Sequence, residues 1–385
     1  MDLYARLNQL SSQMYFEPDS AQDCPTASFR ARAADAINIF YAAGANGKRV
    51  PLLKTMLTSA CERDCYYCPF RAGRDFHRAT LKPDEMARVF MTLQRAGLVE
   101  GLFLSSGIAG GGRRMQDQII ATAELLRLKY HFTGYLHLKI MPGAEYDQVL
   151  RTAQLASRVS INLEAPNPLR LERLAPHKSF FEELMAPLHW VSQIRSNHSA
   201  QRAPNSRPPS MTTQFVVGAV GESDLEILQT TNTLNQQAQL NRAYFSAFRP
   251  VNGTPLENQP PADPVRQRRL YQASFLLRDY GFGLEDLPFD PSGDLPLKVD
   301  PKLAWARQNL SEQPVEINRA DRLELLRVPG IGPKGAAAIL SARRNGRLTN
   351  FAELQRIGLN LQRLQPFITL AGRKPLRQLS FWAGD

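Results

Sequence analysis

The chain has 385 residues, 43% of them hydrophobic, enough to bury a core and long enough for one large or two unequal domains. Its first twenty residues interleave charges with apolar side chains and no run of 18 apolar residues occurs, which argues against a secretory signal and a membrane span. A soluble, cytoplasmic protein with no membrane partner is expected, and its four cysteines are too few for a disulfide framework. The net charge of +11 is concentrated: residues 316–385 hold twelve Lys or Arg against five Asp or Glu, which is +7 of the total and predicts a polyanionic partner.

Residues 1–50 read as an N-terminal extension packed on the adjoining domain. Apolar runs predict strands at 53–60, 100–107, 135–141, 158–164, 212–219 and 243–248. Helical periodicity fills the intervals near 83–96, 115–130, 145–156, 179–195, 223–238 and 263–280. Strands separated by helix-length crossovers cannot pair as hairpins, so the six βα units predict a parallel, right-handed, open or partial barrel over residues 51–285. In such folds the loops after the strands carry the chemistry. Residues 197–210 are polar and proline-rich and read as a mobile surface insertion. Proline, glycine and aspartate at 287–302 predict a linker over 286–315, leaving 316–385 as a small all-α domain.

Cys61, Cys65 and Cys68 follow the first strand in the spacing C-x3-C-x2-C. Soft thiolates this close suit zinc or an iron–sulfur cluster. Zinc needs a fourth closed ligand, for which His77 and Cys24 are candidates, but neither sits in a paired knuckle. A cubane held by three cysteines leaves one iron open to bind a further ligand, and that reading is favoured. Cys24 otherwise reads as a small buried residue.

With Tyr67 just before the last cysteine, this stretch resembles the signature of radical S-adenosylmethionine (SAM) enzymes. The resemblance implies a partial (β/α)6 radical SAM barrel, a 4Fe-4S cluster, S-adenosyl-L-methionine as cofactor, a 5′-deoxyadenosyl radical, and an electron donor such as flavodoxin or ferredoxin. Ser105, Ser106 and Gly107 stand where the superfamily has a glycine-glycine-glutamate turn, although the glutamate is absent here. Asn162 and Glu164 end the fourth strand and suit ribose or methionine contacts, or a strand-end cap. "QFVVGAVGESD" resembles the superfamily's adenine-binding GxIxGxxE segment, with Gly218, Gly221 and Glu222 and one extra residue. Glu222 also suits an ordinary helix N-terminus. Tyr67 is expected to stack on adenine or to close the loop. Arg78, His137 and Lys139 point toward the same face and are catalytic candidates or buried structural groups.

Residues 316–344 read as helix, tight turn, helix, with Asn318 as N-cap and Pro329–Gly330 as the stop. Backbone N–H groups around Gly330, Gly332 and Gly335 can meet phosphate oxygens, with Lys334, Arg343 and Arg344 adding charge. This resembles the helix-hairpin-helix module, which implies DNA binding through the backbone; a domain that docks to protein is the alternative. A weaker second copy follows in "NFAELQRIGLNLQRLQPFITL". The whole chain is similar to DNA modification or repair radical SAM proteins, through "YFEP", "VPLLKTMLTSAC", "EGLFLSSGI", "GYLHLKIMPGA", "FRPVNGTPLE" and "DPKLAWA". That implies chemistry on a base or sugar in DNA and a uracil-DNA glycosylase-like partner. An enzyme acting on RNA, and a non-catalytic metal-containing DNA-binding protein, are the alternatives.

Overall fold

The computed structural model describes residues 2–14, 37, 39–43, 49–200 and 207–374, so Cys24 and the "YFEP" stretch lie outside the described residues. The chain divides into two compact units: Met1–Glu222 with Thr233–Gln267, and Ser223–Asn232 with Arg268–Asp385.

In the first unit α1 (Leu3–Gln13) begins at Asp2, whose carboxylate accepts the Leu3 N–H, and it buries Leu7 and Leu10. Then come β1 (Ile39–Ala43), β2 (Arg49–Met56), α2 (Pro83–Arg95), β3 (Gly101–Ser105), α3 (Gly112–Glu124) and β4 (Tyr135–Lys139). They are followed by α4 (Tyr146–Leu155), β5 (Arg158–Ser160), α5 (Pro168–Leu174), α6 (Ala186–Ala200) and β6 (Ser210–Val217). The series ends with α7 (Asp224–Gln237), β7 (Arg242–Ala247) and α8 (Pro264–Asp279), and both of these helices are divided between the units. One seven-stranded sheet runs in chain order, β1 to β7. Neighbours from β2 to β7 pair in parallel, as expected when each connection contains a helix.

All six expected strands are present. The sequence reading did not find β1, which pairs antiparallel with β2 in the register Ile39↔Leu53, nor α1 or α5. The insertion expected at 197–210 is partly taken up by α6, which runs to Ala200, and by β6 from Ser210.

The parallel register stacks inward-facing side chains in layers. Lys54 lies opposite Phe103, Phe103 opposite His137, and Lys139 opposite Ser160. Lys54, His137 and Ser160 are thus buried polar groups on one face with Phe103 among them, while apolar Leu102, Leu104, Leu136 and Leu138 alternate with them and are fully buried. The alternation is the period-2 signature of a sheet with two chemically different faces.

The second unit adds α9 (Pro301–Asn309), β8 (Val315–Glu316), α10 (Arg322–Arg327), α11 (Pro333–Arg344), α12 (Phe351–Arg356), α13 (Leu361–Leu364) and β9 (Ile368–Thr369). Helix α9 falls within 286–315, and its Ala306, with Leu310, joins a core that includes Leu325, Ile331, Ile339 and Leu354. The α10 N-cap is Asp321, in a reciprocal capping box with Glu324, rather than Asn318. Asn318 instead exchanges two hydrogen bonds with the backbone of Leu348, at 2.9 and 3.0 Å, tying one hairpin to the other. A two-residue parallel pair, β8 with β9, is added to the helices.

Candidate functional site

The cysteine loop leaves the end of β2 and is pinned on both sides. Gly107 N–H donates to the Thr58 carbonyl at 2.7 Å and Glu62 N–H to that of Ile108 at 2.7 Å. A Cβ on Gly107 would stand 2.2 Å from the Ala60 carbonyl oxygen, so only glycine permits the turn after β3 to touch the cysteine loop. Arg78 gathers the loop from within. Its guanidinium donates to the carbonyls of Ser59 (2.8 Å), Phe70 (3.0 Å), Arg71 (2.8 Å) and Arg74 (3.3 Å) and lies 4.3 Å above the Phe76 ring. The segment after α5 closes over the other side: Tyr66 N–H donates to Leu174 O at 2.8 Å, and His177 bonds Asp64 at 2.6 Å.

One cavity receives Cys61, Cys65 and Cys68 together with Tyr67, Ser105, Ser106, Gly107, Lys139, Asn162 and Glu164. Ten of the residues singled out from sequence therefore converge. Others do not line it. Arg78 lies under the cysteine loop. Gly218, at φ +87°, packs against Ala262, and its N–H meets the Glu222 carboxylate. Glu222 is a buried loop brace facing Arg266 at 3.8 Å. His137 sits deeper, edge-on to Phe103 with ring centroids 4.4 Å apart, and its Nε2 has no hydrogen-bond partner among the described residues.

Sequence reasoning missed Arg63, Gln214 and, above all, Lys178 in this lining. Lys178 Nζ donates to Glu164 Oε1 at 2.9 Å with both side chains buried. Glu164 holds a left-handed backbone, φ +65°, which turns its carboxylate into the cavity. Burial opposes its ionisation, but Lys178 and Lys139 outweigh that and hold its pKa below the usual carboxylate value. Burial, and then the Glu164 charge, pushes the Tyr67 phenol well up, so Tyr67 is a neutral donor facing that carboxylate. Burial lowers Lys139 to about 8, against the pull of Glu164. Burial, with Arg158 and Lys54, drives His137 well down, leaving a neutral imidazole.

The three thiols fit an iron–sulfur centre by their chemistry. Ile108 N–H points at Cys61 Sγ at 3.5 Å, and the Phe70 N–H favours the Cys68 thiolate, the backbone support that such sulfurs take. Among the described residues no three His, Cys, Asp or Glu side chains gather tightly enough to hold a single ion. His77 sits on a segment whose carbonyl is bound by Gln9 at 2.6 Å, and it does not line the cavity.

In the second unit Gly330, at φ +90°, turns the chain after α10, and Gly332 starts α11 with Pro333 at its first position. Lys334 and Arg344 are exposed. Arg343 turns inward, donating to the carbonyls of Ala320 (2.7 Å) and Ile317, so its charge is committed to the fold. The turn is braced from α9, where Lys302 Nζ donates to the Ile331 carbonyl at 2.6 Å beneath the Tyr280 ring.

Residues 55–232 match the family model of the Radical SAM superfamily, and residues 311–367 match that of the helix-hairpin-helix motif. No curated protein matches the chain. Similar solved structures include methylornithine synthase PylB, 14% identical with a TM-score of 0.47 over 60% of this chain and 64% of that one. Another is the FeFe-hydrogenase maturase HydG from Carboxydothermus hydrogenoformans, 14% identical with a TM-score of 0.44 over 59% and 51%. A third is the radical SAM methyltransferase TsrM from Kitasatospora setae, 11% identical with a TM-score of 0.38 over 57% and 39%. The match thus spans between 39% and 64% of the length of these three chains. No helix among the described residues is long and apolar enough to cross a membrane. With three thiols on the loop after β2 and glycine turns at the start of α11, the chain carries a radical SAM superfamily domain, the domain of enzymes that use a 4Fe-4S cluster and S-adenosylmethionine, followed by a helix-hairpin-helix motif.

Proposed function

We propose that this chain is a radical SAM enzyme that modifies or repairs a base or sugar in DNA, with the helix-hairpin-helix region gripping the phosphate backbone. The observation that carries the reading is the pairing, in one chain, of a three-thiol cavity with a glycine-turned hairpin flanked by exposed Lys334 and Arg344. When bound, the cluster and S-adenosylmethionine supply the 5′-deoxyadenosyl radical that abstracts hydrogen. The chain's own groups then have separable tasks. Cys61, Cys65 and Cys68 hold the cluster. Ser105, Ser106, Asn162 and Glu164 offer polar contacts to the amino group and hydroxyls of the cofactor. Met56, Ile140, Met141 and Pro142 keep water from the cavity wall. Lys139, lowered to about 8, faces the cavity, and the neutral His137 lies deeper, against Phe103.

A target inside a duplex must be unstacked, at roughly a few kcal/mol, and damage lowers that cost. An electron donor of the flavodoxin or ferredoxin type and a uracil-DNA glycosylase-like protein are the partners this reading calls for. The test is anaerobic reconstitution with iron, sulfide, S-adenosylmethionine and a strong reductant over a panel of damaged DNAs and structured RNAs. Formation of 5′-deoxyadenosine with a mass change in DNA supports the reading. A mass change confined to RNA, or a protein that takes up zinc with neither iron nor sulfide, overturns it.

A further inference from the structure

Beside the hairpin lies a groove of about 400 Å³ floored by buried Pro329 and Phe367. Exposed Arg307, Ser311, Gln362 and Arg363 form its walls. We propose that this groove is a second phosphodiester contact, in which Arg307 of α9 and Arg363 of α13 hold a backbone phosphate next to the one met by the hairpin amides. The inference rests on the nucleic-acid reading above and extends its footprint to residues outside the first hairpin.

Three observations carry it. First, no acidic side chain lines the groove, Arg307 faces it without an ion pair among the described residues and Arg363 with only a loose one, and a phosphate is the ligand that planar, forked donors fit. Second, Arg307 has no side-chain partner among the described residues, whereas Arg327, at the end of α10, is fully engaged with Asp286 at 2.8 and 2.9 Å. Arg327 is held as a structural arginine, and Arg307 is not. Third, the groove is continuous with the hairpin. Pro329 belongs to both, a Cβ on Gly330 would come within 3.1 Å of Arg363 Cβ, and Lys302 ties α9 to the Ile331 carbonyl. A strand whose phosphate rests on the turn amides therefore passes these walls.

Arg363 Nη2 stands 3.6 Å from Asp300 Oδ2, a loose pair in which Arg363 is largely exposed. Asp300 also caps α9 through the Leu303 N–H at 2.9 Å, a task that asparagine performs equally well. Asp300→Asn therefore frees Arg363 while keeping the helix, and it changes binding in the direction opposite to the arginine variants.

The experiment titrates the full chain onto duplex DNA and duplex RNA across a salt series. Arg307→Gln and Arg363→Gln are each expected to weaken binding several-fold, up to about tenfold, and to reduce the slope of log affinity against log salt by about 0.9 on duplex DNA. Asp300→Asn is expected to tighten binding several-fold. Arg88→Gln, on the surface of α2, controls for lost charge and Asp84→Asn for gained charge; neither is expected to change the slope. Melting curves identify any variant that unfolds, and Arg307→Gln, which breaks no contact, keeps the test decisive if Arg363→Gln does. Loss of affinity with Lys334→Gln but unchanged slopes for Arg307→Gln and Arg363→Gln overturns the groove alone. No binding of either duplex by the unaltered chain overturns the groove and the nucleic-acid reading together.

Discussion

Glu164 concentrates several forces in one residue. Its backbone is held at φ +65°, its carboxylate is buried against Lys178, and Tyr67 and Lys139 face it. Taking away one member of such a pair leaves the other charge buried and uncompensated, a loss of about 3–5 kcal/mol. Lys178→Met is therefore expected to lower the unfolding free energy by about that amount, as read from urea denaturation, whereas Glu183→Gln, on the half-buried pair with Arg63, costs about 1 kcal/mol or less. The cysteine triad was legible because spacing alone encodes it. Lys178 was not: it enters the cavity from a connection after α5, and nothing in local sequence marks a lysine that folds back fourteen residues onto Glu164. Arg78 shows the converse, a charge assigned to catalysis from its position whose four carbonyl contacts make it a loop organiser.

At the scale of elements, two glycine-dependent turns decide what can be built. With the Ala60 carbonyl 2.2 Å from where its Cβ would be, Gly107→Ala is expected to displace the cysteine loop. Iron and sulfide content after anaerobic reconstitution should fall to less than half that of the unaltered protein, with the far-ultraviolet spectrum unchanged. The hairpin offers a pH test. Burial lowers the Lys302 ammonium to about 7, against an unfolded value near 10.5. Between those values the unfolded chain holds a proton that the folded chain lacks, so stability rises with pH across that window, and the penalty is complete below pH 7. Lys302→Met is expected to flatten this rise, so its stability relative to the unaltered chain should drop on going from pH 7 to pH 9.5 in urea melts. The βα alternation was readable because short, strand-length apolar segments are each followed by an interval of helical periodicity. Strand β1 was not, because a five-residue edge strand carries little periodicity and is defined by its pairing with β2.

Across the whole molecule, the radical SAM match and the helix-hairpin-helix match fall on different stretches of chain, residues 55–232 and 311–367, so the proposed cofactor chemistry and nucleic-acid grip are separate in sequence. Their effects should separate. Cys65→Ala is expected to abolish 5′-deoxyadenosine formation while leaving affinity for duplex DNA within about twofold. Lys334→Gln is expected to do the reverse, weakening binding several-fold and lowering the salt slope by about 0.9 while free S-adenosylmethionine is still cleaved. Parallel mass spectrometry and fluorescence titration of the two variants would check this. Composition had already located the basic end, but not which cations are available. Arg343 and Arg327 are consumed by the fold, and only tertiary contacts reveal that.

Strand β2, which leads into the cysteine loop, is hydrogen-bonded along both margins, to β1 on one side and β3 on the other. Its place is thus set by main-chain pairing. A molecule stripped of its inorganic core by oxygen is therefore expected to keep this sheet and to accept a fresh core, which renewed iron and sulfide uptake by the same oxidised sample would check.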